Sequence, residues 1–256
     1  MRLDIFCSSV AGKVRRKNED MLAAGRLLVR DGQARLWYST RDAEPFMLAV
    51  SDGMGGHGCG DTASSHTLGR LSSALYGRLS GAERLEQDIV DAIDGISARL
   101  NRMSDDAGLE RPMGCTLSGL FWAGERILLV NIGDSRTYRF RDGILRRLTR
   151  DQNLLERDMT PLPRGKALYS CIGGGIYPDI SVTDMSGKIH DGDRVAICSD
   201  GLSDMLDEDL IESLLGEGSV SDAGRRLSDA ALDAGGKDNI SLIVADILPS
   251  REQRQE

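Results

Sequence analysis

Four short apolar runs stand out along the chain, at residues 46–50 (FMLAV), 127–132 (ILLVNI), 194–198 (RVAIC) and 240–247 (ISLIVADI). Their length and lack of helical spacing predict buried strands. A hairpin is expected over 137–148, where TYRFRDGILRRL places Asp142-Gly143 between two extended stretches. Helical spacing appears elsewhere. Leu68, Leu71, Leu75 and Leu79 recur at three- or four-residue steps, as do Leu85, Ile89, Ile93, Ile96 and Leu100. They predict two neighbouring amphipathic helices split near Ser80-Gly81. Two shorter helices are expected over 207–215, with Asp207 as N-cap, and over 221–234, ended by Gly235-Gly236. The order is strands, two helices, strands, two helices and a final strand. Strict strand–helix alternation is absent, which disfavours a doubly wound parallel sheet and favours a layered α+β fold.

Composition narrows the partners. The chain has 256 residues, 40% hydrophobic but only 4% aromatic, so aliphatic side chains must fill the core. A net charge of −8 argues against nucleic acid or an anionic membrane as the main partner. Five scattered cysteines with no CxxC pair fit neither a disulfide framework nor a zinc site. No signal-peptide pattern and no long apolar span is visible, so a cytoplasmic protein is expected.

The carboxylates carry more information. Asp52, Asp134 and Asp200 follow three of the apolar runs, and Asp238 precedes the fourth. Ser-Asp-Gly occurs twice, at 51–53 and 199–201. Asp-Gly at a strand end lets the chain turn away while the carboxylate stays at the sheet edge. Taken singly, each is an ordinary turn. Together they predict an acidic site at one end of the core, whose mutual repulsion a hard divalent cation such as Mg²⁺ or Mn²⁺ relieves.

The segments VRRKNED (14–20), VSDGMGGHGCGDTAS (50–64), GCTLSGL (114–120), NIGDSRTYRF (131–140), LTRDQN (148–153), CSDGLSDML (198–206) and GGKDNIS (235–241) resemble, in order, the metal-dependent protein phosphatases of the 2C type, in their compact bacterial form. The resemblance implies a central antiparallel β-sandwich flanked by helix pairs on both faces. One catalytic domain is expected over 1–248, with a charged, disordered tail over 249–256. It implies two Mn²⁺ or Mg²⁺ ions and a third, weaker one. Asp52 would bridge two metals, with the Gly53 carbonyl holding one of them and Asp200 and Asp238 completing the other. Glu19 and Asp20 would orient metal-bound water, Asp134 would hold the third ion, and Arg15 would grip the phosphate. Arg16 and Lys17 are expected to be solvated surface charges.

The expected activity is hydrolysis of phosphoserine and phosphothreonine in proteins, opposing a cognate Ser/Thr kinase, by a monomer with no nucleic-acid or membrane partner. A pseudophosphatase acting as a binding or sensing module is the rival. The match has departures. Met54 stands where some members carry His, and a thioether cannot donate a proton. His57 is expected to be a structural histidine. Gln152 replaces a usual His, with a consequence the sequence leaves open. Residues 156–178 match a flap whose Gly and Pro content predicts flexibility, and Cys171 within it is expected to have no redox role.

Overall fold

A computed structural model describes residues 1–39, 44–55, 59–78 and 82–249. Leu79, the Ser80-Gly81 break, His57 and the tail from residue 250 fall outside the described residues. The strands are β1 (Arg2–Val10), β2 (Met21–Ala24), β3 (Leu27–Val29), β4 (Gly32–Ser39), β5 (Phe46–Ser51) and β6 (Gly53–Met54). After helices α1 (Gly60–Arg78) and α2 (Leu85–Asp106) come β7 (Gly114–Cys115), β8 (Leu117–Ala123), β9 (Arg126–Ile132), β10 (Arg136–Arg141) and β11 (Ile144–Arg147). Then follow α3 (Leu154–Asp158), β12 (Ile172–Gly173), β13 (Ser181–Asp184) and β14 (Arg194–Cys198). The described chain closes with α4 (Asp200–Ser203), α5 (Glu208–Leu215), α6 (Val220–Asp233) and β15 (Ile240–Leu248).

Two six-stranded antiparallel sheets stack face to face, ordered β11-β10-β14-β15-β1-β4 and β13-β9-β8-β5-β2-β3, and a small three-stranded ribbon joins β12, β7 and β6. Alternation along β5 shows the layering. Phe46, Leu48 and Val50 enter the core between the sheets with Ile5, Trp122, Ile197 and Ile243. Met47 and Ala49 point the other way, onto Leu68, Leu71 and Leu75 of α1 and Ile89, Ile93 and Leu100 of α2. The second sheet buries Phe6, Ala196 and Val244 under Ile211 and Leu215 of α5 and Leu227 of α6. Both faces of the inner strands are covered, so they read as continuous apolar runs rather than alternating ones. Each fully buried Leu or Ile contributes about 1.5–3 kcal/mol of transfer free energy. The expected four-layer arrangement is the observed one.

Local signals act as expected. Asp142 and Gly143 both take positive φ (52° and 81°) in the β10–β11 turn, as a tight hairpin requires. Asp207 caps α5 by accepting from the Leu210 N–H at 2.8 Å. Helix α6 begins one residue earlier than expected, because Ser219 and Asp222 form a reciprocal capping box.

Strand β1, which the apolar-run criterion passes over, is the main addition. Its Asp4 is neutralised from β4 by Arg35, at 2.8 and 3.1 Å, so a charge tolerated at a sheet position interrupts the apolar signal. Strand β8 escapes notice for a different reason. Its Gly119 sits where a Cβ would lie 2.6 Å from the Leu48 carbonyl, so close strand packing removes a side chain from the pattern.

Candidate active site

The topology gathers the singled-out carboxylates at one end of the sandwich. In the register, Cys198 of β14 pairs with Leu242 and Val10 of β1 with Ile240, so the end of β14, the end of β1 and the start of β15 coincide. In the other sheet Met21 pairs with Ser51, so β2 begins where β5 ends. Residues 11–20 therefore cross from one sheet to the other over this end. They carry Arg15, Glu19 and Asp20 past Asp52, Asp134, Asp200 and Asp238.

The two Ser-Asp-Gly motifs have a common logic. Each serine fastens inward: Ser51 Oγ donates to the Thr116 carbonyl at 2.8 Å, and Ser199 Oγ donates to Asp20 Oδ2 at 2.8 Å. Each glycine permits a backbone contact that no side chain allows. A Cβ on Gly53 would fall 2.2 Å from the Gly60 carbonyl oxygen, and one on Gly201 would fall 2.0 Å from that of Asn239. Between them, Asp52 and Asp200 face the cleft. Asp52 is held from its backbone, its N–H donating to Thr116 Oγ1 at 2.9 Å. Its carboxylate meets that of Asp200 across the cleft.

Asn239 performs the matching task beside Asp238. Its amide donates to the carbonyls of Ala11 and Lys17, both at 3.0 Å, and its Oδ1 accepts from the Glu19 N–H at 2.8 Å. One side chain thus staples the crossing loop to the start of β15. Sequence reasoning singled out only its neighbour, although the Asp-Asn pair was the available signal.

The cleft has a volume of about 370 Å³ and is lined by Arg15, Glu19, Asp52, Gly53, Asp134 and Asp200, with Asp238 and Asn239 at its side. Asp20 lies beneath the lining, fully buried under the Ser199 hydroxyl. Arg15 is more than half exposed and places Nη2 2.6 Å from Asp238 Oδ2. Lys17, expected to be a solvated charge, pairs with Asp61 at 2.8 Å. Lys166, from the segment after α3, lines the cleft and pairs with Asp204. It is a cation that sequence reasoning missed, because nothing in PRGKA marks it.

Electrostatics make this a strained group of acids. Burial, and then Asp20, Asp200, Asp134 and Asp238, push the Asp52 carboxyl well above its ordinary value. Burial raises Asp20 to about 7, with Asp200 and Asp238 adding repulsion. Burial followed by Asp200 and Asp151 raises Asp134 to about 8. Asp200 is raised by burial and by Asp238. Glu19 Oε1, Asp20 Oδ1 and Asp200 Oδ1 are buried and lack any hydrogen-bond partner. Buried carboxylate oxygens are costly unless a cation or donor meets them.

The donor set fits hard divalent ions. It is all oxygen, and no histidine or cysteine lines the cleft among the described residues. Among those residues no three acidic, imidazole or thiol groups close into a cage for a single ion. Mg²⁺ and Mn²⁺ fit such an open arrangement, because Mg²⁺ keeps several waters and takes only one or two carboxylates.

Gln152 acquires a role here. Its Oε1 accepts from the Gly133 N–H at 2.8 Å, and its Nε2 donates to the Asp179 carbonyl at 2.8 Å. It ties the loop carrying Asp134 to the far end of the predicted flap segment. Cys171 is buried and its thiol is pushed up to about 12 by burial, which keeps it protonated and unreactive. Met54 lines the cleft and supplies no proton.

Comparison with known proteins places this geometry in a family. Residues 29–238 match the profile of Protein phosphatase 2C. The serine/threonine protein phosphatase PstP of Mycobacterium tuberculosis is 32% identical over 250 residues, 93% of this chain. The chain spans 43% of the length of that relative. The serine/threonine phosphatase Stp of Listeria monocytogenes is 28% identical over 222 residues, which are 82% of this chain and 87% of that protein. Among solved structures, the catalytic domain of PstP in complex with two manganese ions superposes with a TM-score of 0.72 at 30% identity, covering 96% of this chain and all of that one. PppA, a regulatory component of the type VI secretion system in Pseudomonas aeruginosa, superposes with a TM-score of 0.78 at 25% identity over 95% of this chain and 97% of that one. Among the described residues no helix is long and apolar enough to cross a membrane. On the extent of the family match, the chain belongs to the protein phosphatase 2C family.

Proposed function

We propose that this chain is a protein serine/threonine phosphatase working with two Mn²⁺ or Mg²⁺ ions held by Asp52, the Gly53 carbonyl, Asp200 and Asp238. The observation that carries the proposal is the buried, unpartnered carboxylate oxygens of Glu19, Asp20 and Asp200, which lie beside Asp52, Asp134 and Asp238 at one end of the sandwich. When bound, such a pair of ions supplies an activated water at neutral pH and charge stabilisation on the phosphoryl oxygens.

The chain's own residues do the remainder. Glu19 and Asp20 would orient water at the cleft from the crossing loop, with Ser199 holding Asp20. Arg15 presents a planar fork to a phosphate, whose oxygens match it better than a lysine ammonium would. Its contact with Asp238 fixes the guanidinium at the cleft edge meanwhile. Asp134 is the candidate for a third, weaker ion, and Gln152 fixes the loop that carries it. Phosphorylated Ser/Thr proteins are the substrate class, and opposition to a Ser/Thr kinase follows from that class.

The test is hydrolysis of p-nitrophenyl phosphate and of a phosphothreonine peptide with Mn²⁺, with Mg²⁺ and with EDTA. Activity is expected only with metal. A folded Asp238→Asn protein should lose most turnover, whereas Arg15→Ala should chiefly raise KM, because it removes a phosphate contact rather than the nucleophile. Turnover in EDTA would refute the mechanism. A folded, metal-supplied protein with no turnover would favour the pseudophosphatase.

A further inference from the structure

A second cleft, apart from the acidic one, lies between the β10–β11 hairpin and the segment that follows β13. It has a volume of about 530 Å³ and is lined by Arg139, Arg141, Arg146, Arg147, Lys188 and His190. That is a concentrated positive surface on a chain with 40 acidic and 32 basic residues.

Two of these arginines, Arg139 and Arg146, form no ion pair with a carboxylate among the described residues, although Asp193 lies within electrostatic reach of Arg139. Arg139 and Arg146 stand directly opposite each other in the hairpin register, and like charges in that position destabilise the pair. Arg139 Nε is buried without a partner. Its Nη1 reaches only the Lys188 carbonyl, at 3.4 Å.

The nearby acids are already engaged. Asp193 accepts both nitrogens of the Arg141 fork, at 2.5 and 2.7 Å. Glu156 and Asp151 hold Arg147, at 2.9 and 3.8 Å. Asp184 caps the Ser186 N–H at 2.8 Å. Among the described residues no carboxylate pairs with Arg139 or Arg146.

We propose that this cleft binds a phosphate group, with the Arg139 and Arg146 guanidinium groups gripping its oxygens and Lys188 at the rim. Two forks need more acceptor oxygens than one carboxylate has, and a phosphate dianion supplies them. The volume is in the range of a ligand pocket rather than a bare ion site, so it accommodates either inorganic phosphate or a phosphorylated residue with its neighbouring chain.

The test is calorimetric titration of the EDTA-treated full chain with inorganic phosphate and, separately, with a phosphothreonine peptide. Arg146→Glu, at an exposed position, is expected to weaken binding of the phosphate group at least about tenfold. Arg139→Gln should weaken it as well. Arg102→Glu makes the same charge change on the exposed face of α2 and should leave it intact. Tighter binding of the peptide that is lost in Arg146→Glu identifies a phosphorylated chain as the ligand of this cleft, and tighter binding of inorganic phosphate lost in the same variant identifies the free anion. Unchanged affinity in both Arg146→Glu and Arg139→Gln, or an equal loss in Arg102→Glu, would overturn the assignment.

Discussion

Asp52→Asn is expected to remove metal-dependent turnover while making the metal-free protein more stable near pH 8. The two effects share a cause. Asp52 is half-buried in the cleft beside Asp20, Asp200, Asp134 and Asp238, and its carboxyl is pushed well above the usual range by desolvation and by those neighbours. Above the ordinary carboxylate range the cluster ionises only against its own repulsion, and the fold bears that cost. Asparagine keeps the shape and removes one charge, so the variant should gain stability without metal. The same change removes the proposed bridging ligand, and turnover should fall by at least about a hundredfold. Denaturant titration in EDTA, beside an assay in Mn²⁺, reads both. A variant less stable than wild type in EDTA, or one that keeps its turnover, would remove Asp52 from the proposed centre.

That opposition of stability and function also explains what the sequence could reveal. The inner strands were legible because both faces are covered, which writes burial as unbroken apolar runs such as FMLAV and RVAIC. Asp52 and Asp200 were legible because Ser-Asp-Gly is a compact solution to one problem, in which serine fastens, glycine lets two backbones touch and aspartate faces the cleft, whereas Asp134 and Asp238 were legible only from their places at the ends of apolar runs. The register that brings Val10, Ser51, Cys198 and Ile240 to one end was not legible, since it depends on which sheet each strand joins.

Residues acting through a single long-range hydrogen bond were equally hidden. Asn239 reaches Ala11, 228 residues away in sequence, and no periodicity records such a contact. Gln152 looked like a departure from a motif, and only the Gly133 and Asp179 contacts show it as a strut. The Arg139–Arg146 pair lay within the expected hairpin without being singled out, because a charge looks solvated until its neighbours are placed.

The largest effect of conditions is expected from metal and pH together. Asp20 and Asp134 titrate at about 7 and about 8 in the folded chain, against an ordinary value of 3.8. Below about pH 4 both folded and unfolded chains hold these protons, and no penalty exists. As pH rises the unfolded chain releases them first, so it binds fewer protons than the folded chain and the slope of stability with pH is negative. Stability of the metal-free protein should therefore decline between about pH 4 and pH 8. Divalent ions bind the deprotonated carboxylates, so their stabilisation grows over the same window. At a hundredfold excess over its dissociation constant one ion adds about 2.7 kcal/mol, or roughly 5–10 °C in Tm for a chain of this size. Calorimetric scans in EDTA and in Mn²⁺ or Mg²⁺, taken from about pH 5 to about pH 8, should diverge as pH rises. A metal-free Tm that climbs through this range, or a metal increment that shrinks, would mean that the buried acids are neutralised by the protein itself and that the cleft is not built for cations.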